Sequence, residues 1–200
     1  MSLISHFSEN NLLEAGCDEA GRGCLAGPLF AAAVIFPYQY VNDQLNDSKQ
    51  LSKAKREKLR EIIIKDAVAY SVVSISETVI DEINILNASF RGMNLAVKQL
   101  KVQPELLLID GNRFKNETVI PFQCIVKGDA KYLSIAAASI LAKTFRDDFM
   151  EQLSAEYPVY CWTQNKGYPT AAHQEALLKH GRSPHHRKSF QVKGQLRLDF

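Results

Sequence analysis

The chain has 200 residues, of which 46% are hydrophobic and 23% are charged, and its 24 basic and 22 acidic side chains nearly balance. This composition is typical of a folded domain and excludes an intrinsically disordered chain. The sequence contains no apolar stretch long enough to predict a membrane span, and its first residues lack the basic start and apolar core of a signal peptide. Four cysteines without C-x-x-C spacing predict reduced thiols in a cytoplasmic protein. We also expect the protein to be a monomer.

The predicted elements alternate between strands and helices, which indicates the α/β class. In chain order we predict a strand at 12–20, a strand at 24–36, a helix at 49–67, a strand at 69–76, a helix at 84–101, strands at 105–109 and 122–126, and a helix at 131–156. Ser48 or Ser52 is the expected N-cap of the first helix. Beyond Tyr157 the chain breaks into short helical pieces, so we predict one domain at 1–157 and a small helical subdomain at 158–200.

Two adjacent carboxylates, Asp18 and Glu19, stand where the first buried strand meets a glycine-rich turn. Successive side chains of a strand point to opposite faces, so the pair shares one face only if the backbone bends. Gly21 and Gly23 permit such a bend and a close approach of a ligand to the backbone. Because burying two neighbouring charges is costly unless a cation neutralises them, the pair indicates a divalent metal.

Two further carboxylates follow predicted strands, Asp110 directly after one and Asp129 just past the next. Groups at strand ends of an α/β sheet tend to collect in one place, so these carboxylates and the first pair could form one acidic pocket. Oxygen ligands without cysteine or histidine favour Mg²⁺ or Mn²⁺, and two such ions fit phosphoryl transfer. The alternatives are an Asp-Gly turn for Asp110 and a helix N-cap for Asp129.

Basic side chains form two clusters, which fit either a polyanion partner or solvated surfaces. His185 and His186 lie within the second cluster, where they fit phosphate contacts or a solvated loop. The clusters consist of Lys49, Lys53, Lys55, Arg56, Lys58 and Arg60, and of Lys179, Arg182, Arg187, Lys188, Lys193 and Arg197.

A set of motifs along nearly the whole chain resembles bacterial ribonuclease HII, the type 2 ribonuclease H. The motifs are Gly16-Cys17-Asp18-Glu19-Ala20-Gly21-Arg22-Gly23, Asp47-Ser48-Lys49-Gln50-Leu51-Ser52, Ile109-Asp110-Gly111-Asn112, Val126-Lys127-Gly128-Asp129, the segment 134–143 with Arg146-Asp147, Asn165-Lys166-Gly167-Tyr168-Pro169-Thr170, and Ser183-Pro184-His185-His186-Arg187. Their order and spacing make the combination specific.

The resemblance implies an RNase H-like fold, a five-stranded mixed sheet flanked by helices with a helical C-terminal subdomain. It implies cleavage of RNA in RNA–DNA hybrids and on the 5′ side of single ribonucleotides in duplex DNA, leaving 3′-hydroxyl and 5′-phosphate ends. A divalent metal, Mg²⁺ or Mn²⁺, would be held by Asp18, Glu19 and Asp110, with Asp129 completing the acidic set.

The resemblance also implies substrate contacts. Gly21, Arg22 and Gly23 would present backbone groups to the 2′-hydroxyl, and Tyr168 would stack on the sugar at the junction. Phosphate contacts are expected for Lys49, and also for Lys143 and Arg146. Taken alone, Arg22 could equally be a surface arginine on a turn, and Tyr168 could simply cap a packed loop.

The last residues, Gln195 to Phe200, resemble peptides that dock into bacterial sliding clamps. Docking in a hydrophobic pocket and packing onto the protein's own surface both account for their apolar side chains. Two rivals to the leading interpretation are the sister family ribonuclease HIII and a hybrid-binding module without activity. The acidic pair at residue 18 leaves no room for the extra domain of ribonuclease HIII, and a module that only binds has no need of converging carboxylates.

Overall fold

A computed structural model of the chain describes residues 3–45 and 52–191. Five strands form one mixed sheet in the order β3-β2-β1-β4-β5, which confirms the five-stranded sheet expected from the resemblance. The strands are β1 Glu14–Ala20, β2 Leu29–Ile35, β3 Ala69–Ile75, β4 Leu106–Asp110 and β5 Phe122–Ile125. The helices are α1 Lys53–Asp66, α2 Glu77–Lys98, α3 Leu133–Glu156, α4 Trp162–Asn165 and α5 Ala171–His180, with short 3-10 turns at Gly128–Ala130 and Pro158–Tyr160.

Strand β1 lies at the centre of the sheet, antiparallel to β2 and parallel to β4. Helix α2 packs on one face, against Ala15 and Cys17, and helices α1 and α3 pack on the other. A Cβ atom at Gly16 would stand 2.2 Å from the backbone of Ser134, so the glycine allows α3 to approach β1 closely. Burial of both faces explains why β2 consists of apolar residues throughout.

Two predicted boundaries were wrong. Strand β2 begins at Leu29, because the residues from Cys24 onward form a loop. Helix α2 begins at Glu77 rather than at 84, with Ser76 as its N-cap. The predicted start is a second start within that helix: Asn84 has φ 65°, and its Oδ1 accepts hydrogen bonds from the next turn.

The N-cap predicted at Ser52 is confirmed, since its hydroxyl accepts a hydrogen bond from the Lys55 amide of α1. The alternative cap, Ser48, lies outside the described residues.

The C-terminal segment packs against the end of α3 and against the loop at 21–28, which connects β1 to β2. Its core is Trp162, which is fully buried beside Leu25, Met150 and Leu177. Phe190 packs at the edge of this cluster, as an anchor between the segment and the core. The division at residue 157 into a domain and a subdomain stays a prediction.

Within the described ranges, no helix combines the length and the apolar character that crossing a bilayer requires.

Candidate active site

A cavity of about 550 Å³ opens where β1 and β4 end. Because these strands are parallel and pair Cys17 with Ile109, the next residues, Asp18 and Asp110, emerge side by side. The cavity is lined by Asp18, Glu19, Ala20, Gly21, Arg22, Gly23, Arg56, Asp110, Ser139, Lys143 and Tyr168. The fold therefore brings together most of the residues that the sequence singled out.

The two adjacent carboxylates reach the cavity from opposite faces of β1. Asp18 is hydrogen-bonded to Ser139 on α3, and Glu19 is hydrogen-bonded to Ser89 on α2. The pair thus keeps the alternation of a regular strand, and the cavity extends around the strand's end to meet both side chains.

The carboxylates repel one another in a buried setting. Burial is the main cause that raises the pKa of Asp18, and the neighbouring charges of Glu19 and Asp110 raise it further. Burial also raises the pKa of Glu19, against the opposing effect of Arg22, whose Nη1 lies 3.2 Å from Glu19 Oε1. Such a group of acids is stabilised by a cation.

Each of the three carboxylates has at least one hydrogen-bonded oxygen within the protein. Asp18 Oδ1 accepts from the Glu19 amide at 2.7 Å, Asp110 Oδ1 accepts from the Gly128 amide at 2.7 Å, and Glu19 pairs with Arg22. In the described part of the chain, no three Asp, Glu, His or Cys side chains are arranged around a common metal position. The donor set nevertheless fits Mg²⁺ or Mn²⁺, because it is all oxygen and its carboxylates lie close enough to raise one another's pKa.

Asp129 differs from the other three carboxylates because it does not line this cavity. It is 3% exposed, on the 3-10 turn that follows β5, and it is absent from the cavity lining. Its neighbour Gly128 contacts Asp110 through the backbone amide, so Asp129 adjoins the site. The N-cap alternative is wrong, since Lys127 is the N-cap residue of this turn and Tyr132 is that of α3.

The two glycines of the cavity wall differ in what the fold requires of them. Gly21 has φ +96°, and a Cβ there would stand 2.2 Å from Nε of Arg146. A Cβ at Gly23 would meet nothing within 4 Å. The fold therefore requires a glycine at 21, whereas the space at 23 is open on the cavity side.

The phosphate contact expected for Arg146 does not fit its position. The side chain is 0% exposed, and it donates hydrogen bonds to the carbonyls of Pro28, Ala26 and Lys166. Arg187 is buried in the same way and donates to the carbonyls of Gly27 and Arg22. Both arginines hold the loop at 21–28 in place.

Lys143 and Tyr168 face the cavity together. Lys143 Nζ lies 5.4 Å from the centre of the Tyr168 ring and 2.7 Å from Asp147 Oδ1. The half-buried Tyr168 is hydrogen-bonded through its hydroxyl to the thiol of Cys24, and burial raises the pKa of Tyr168 to about 12.

The residues of the first basic cluster that the structure describes differ in their surroundings. Arg56 lines the cavity, whereas Lys53 pairs with Glu151 and Arg60 with Asp148. From the sequence, Arg56 was one of six equivalent charges of the cluster. Its position three residues before the buried Leu59 of α1 is the signal that could have distinguished it from the others.

In the second cluster, His186 is 3% exposed and does not fit a surface phosphate contact, while His185 pairs with Glu77. Lys49 and the residues 195–200 lie outside the described residues.

The sequence model of the family described as Ribonuclease HII matches residues 15–193. The chain belongs to the ribonuclease HII family. Ribonuclease HII of Parabacteroides distasonis is 60% identical over 99% of this chain and 100% of its own length, and that of Bacteroides thetaiotaomicron is 57% identical over the same shares.

Solved structures resemble the fold closely. Ribonuclease H2 of Pyrococcus horikoshii superposes with a TM-score of 0.75 at 27% identity, over 89% of this chain and 93% of that one. Ribonuclease HII of Archaeoglobus fulgidus, solved in complex with PCNA, gives 0.71 at 28% identity, over 94% of this chain and 100% of that one.

These findings confirm the predicted family, the RNase H-like fold and the enzyme class. The chain is a type 2 ribonuclease H, an endonuclease of a family that acts on RNA–DNA hybrids and needs a divalent metal.

Proposed function

We propose that this cavity cleaves the RNA strand of RNA–DNA hybrids and also cuts on the 5′ side of single ribonucleotides embedded in duplex DNA. In each cut, water attacks the phosphorus and the bond to the 3′ oxygen breaks, which leaves 3′-hydroxyl and 5′-phosphate ends. One observation carries the proposal: the carboxylates and the Gly21–Gly23 turn line the same cavity, so that hydrolysis and ribose recognition adjoin.

Asp18, Glu19 and Asp110 would hold the divalent metal, Mg²⁺ or Mn²⁺, and Asp129 would complete the acidic set from its place beside Asp110. The bound metal supplies activation of water and stabilisation of the leaving oxygen, for which two ions suffice. The mutual repulsion of Asp18, Glu19 and Asp110 supports this assignment, because a cation relieves it.

The open space at Gly23 supports a role for the turn in substrate recognition. A glycine that the fold does not require leaves its backbone accessible to a ligand, and the 2′-hydroxyl is the group that distinguishes RNA from DNA. Tyr168 faces the same cavity and would stack on the sugar at the junction. Lys143 and Arg56 would contact the phosphates, as would Lys49.

The decisive experiment uses an end-labelled duplex with one embedded ribonucleotide, in the presence of Mg²⁺ or Mn²⁺. We expect a single cut on the 5′ side of that ribonucleotide and loss of the cut in Asp18→Asn. Turnover unchanged by that substitution would overturn the mechanism. Absence of cleavage by the unaltered protein would favour a module that only binds hybrids.

We further propose that the protein acts in the cytoplasm and that residues 195–200 dock into a sliding clamp. The complex of the archaeal relative with PCNA supports a clamp interaction in this family. Deletion of residues 195–200 should abolish clamp binding while cleavage of short duplexes stays intact. Clamp binding that survives the deletion would remove the proposal.

A further inference from the structure

Two histidines and a tryptophan are buried together behind the cavity wall. Trp162 and His173 are both 0% exposed and His186 is 3% exposed. His173 Nε2 lies 3.1 Å from Trp162 Nε1 and 3.1 Å from His186 Nε2. Neither the metal site nor the proposed phosphate contacts use this group.

The hydrogen bonds assign the proton of each ring. The Ser183 amide donates to His186 Nδ1, so the proton of that neutral ring is on Nε2. His186 Nε2–H and Trp162 Nε1–H then both donate to His173 Nε2, which must be the acceptor. The proton of His173 is therefore on Nδ1.

His173 Nδ1 lies 3.0 Å from the carbonyl oxygen of Tyr168, and its N–H donates to it. The backbone around Tyr168 is fixed at further points: its amide donates to the Asn165 carbonyl, and its carbonyl also accepts from the Thr170 amide. The rings thus form one directed chain of hydrogen bonds that ends on the backbone of a cavity residue.

We propose that His173, oriented by His186 and Trp162, is a positioning residue that fixes Tyr168 at the cavity wall. This inference rests on the proposed function, in which Tyr168 contacts the sugar at the junction. Neutral rings are required, and burial lowers the pKa of both histidines, with the nearby charges of Arg182 and His185 acting in the same direction on His186.

Two substitutions separate positioning from packing. The amide nitrogen of His173→Asn takes the place of Nδ1 and can still donate to the Tyr168 carbonyl, but it leaves Trp162 and His186 without their acceptor. The longer side chain of His173→Gln offers an acceptor near the position of Nε2 and loses the donor to Tyr168. We therefore expect opposite rankings: His173→Asn melts lower, whereas His173→Gln has the lower kcat.

The measurement is kcat and KM on a duplex with one embedded ribonucleotide, together with the thermal midpoint of each variant. We expect kcat of His173→Gln to fall about tenfold with KM changed by less than about twofold, because a small misplacement of a positioned group lowers the rate more than the affinity. In a Tyr168→Ala background the same substitution should have no further effect. The proposal is overturned if the variant with the lower thermal midpoint also has the lower kcat. It is also overturned if the losses of kcat caused by His173→Gln and by Tyr168→Ala multiply in the double variant.

A second readout does not depend on catalysis. The ring signal of Tyr168 in ¹³C-tyrosine-labelled protein, identified by its absence in Tyr168→Ala, should move in His173→Gln and stay in His173→Asn. A signal unmoved by His173→Gln overturns the positioning role. If instead that signal moves while Tyr168→Ala cleaves normally, positioning stands and the role proposed for Tyr168 fails.

Discussion

Two neighbouring regions of this molecule contain buried charges, and the two differ in what surrounds those charges. The guanidinium groups of Arg146 and Arg187 are fully buried, and backbone carbonyls accept their hydrogen bonds. In the acidic cavity, Asp18, Glu19 and Asp110 stand close enough to repel one another. A buried cation surrounded by carbonyl oxygens stabilises a fold, whereas carboxylates that repel one another call for a ligand.

The loop at 21–28 connects the two regions. Its carbonyls receive the arginines on one side, and its first residues line the cavity on the other. The arginines therefore hold rigid the turn that would approach the substrate, and each region can be altered separately.

The largest effect is expected for Asp18→Asn, which removes a charge from the acidic cavity. Activity should fall by about 10³-fold, as for loss of a principal electrostatic group. The free energy of unfolding without metal should rise, because the substitution removes a buried charge and its repulsion. The control is Asp148→Asn, at a half-buried carboxylate of α3 that does not line the cavity, and equal losses of activity in both variants would contradict the account.

Arg146→Lys should change the free energy of unfolding in the opposite direction to Asp18→Asn. A lysine cannot reach three carbonyls in different directions, so buried acceptors lose their donors and the free energy of unfolding falls by about 3 kcal/mol. Urea denaturation measures this loss, with exposed Arg91→Lys as the control. An unchanged midpoint would mean that the buried arginine does not stabilise the loop.

The glycines of the turn provide a matched pair. Gly21→Ala should destabilise the protein by about 1–3 kcal/mol, because its φ is +96° and a Cβ would overlap Arg146. Gly23→Ala should leave the thermal midpoint unchanged, since its Cβ would face open space, and should slow cleavage of the single-ribonucleotide duplex. If Gly23→Ala cleaves normally, the backbone at 23 does not meet the substrate.

The smallest effect is expected from pH. Burial, together with the neighbouring His173, Arg182 and His185, lowers the pKa of His186 from 6.5 to about 4. Between pH 6.5 and 4 the unfolded chain binds a proton that the folded chain does not, so stability is present above pH 6.5 and is lost as the pH falls to about 4. Thermal midpoints across this range should fall less steeply in His186→Gln. The same slope in both proteins would exclude His186 as a source.

The sequence predicted much of the fold and of the cavity, because both follow from local patterns. Apolar runs that end in Asp18 and Asp110 place these carboxylates at strand ends, and parallel pairing brings them together. Whether an arginine is buried or lines the cavity could not be predicted from local patterns. Arg146 and Arg56 are both basic residues on helices, and only tertiary packing buries the first and leads the second to the cavity.

The hydrogen bonds between His173 and Trp162 could not be predicted from the sequence either, because they also depend on tertiary packing. These residues are separated along the chain, and the direction of each hydrogen bond depends on its partners. The start of α2 at Glu77, after its N-cap Ser76, was missed because Asn84 supplies a second cap with equally clear local signals.

The most direct test of the central claim is the effect of Mn²⁺ on unfolding. If the carboxylates of the cavity bind a cation, Mn²⁺ at 100 times its dissociation constant should raise the free energy of unfolding of the unaltered protein by about 2.7 kcal/mol. The same ion should raise that of Asp18→Asn far less. The account predicts this difference between the two proteins in thermal unfolding with and without the metal. An equal rise in both, or no rise in either, would contradict it.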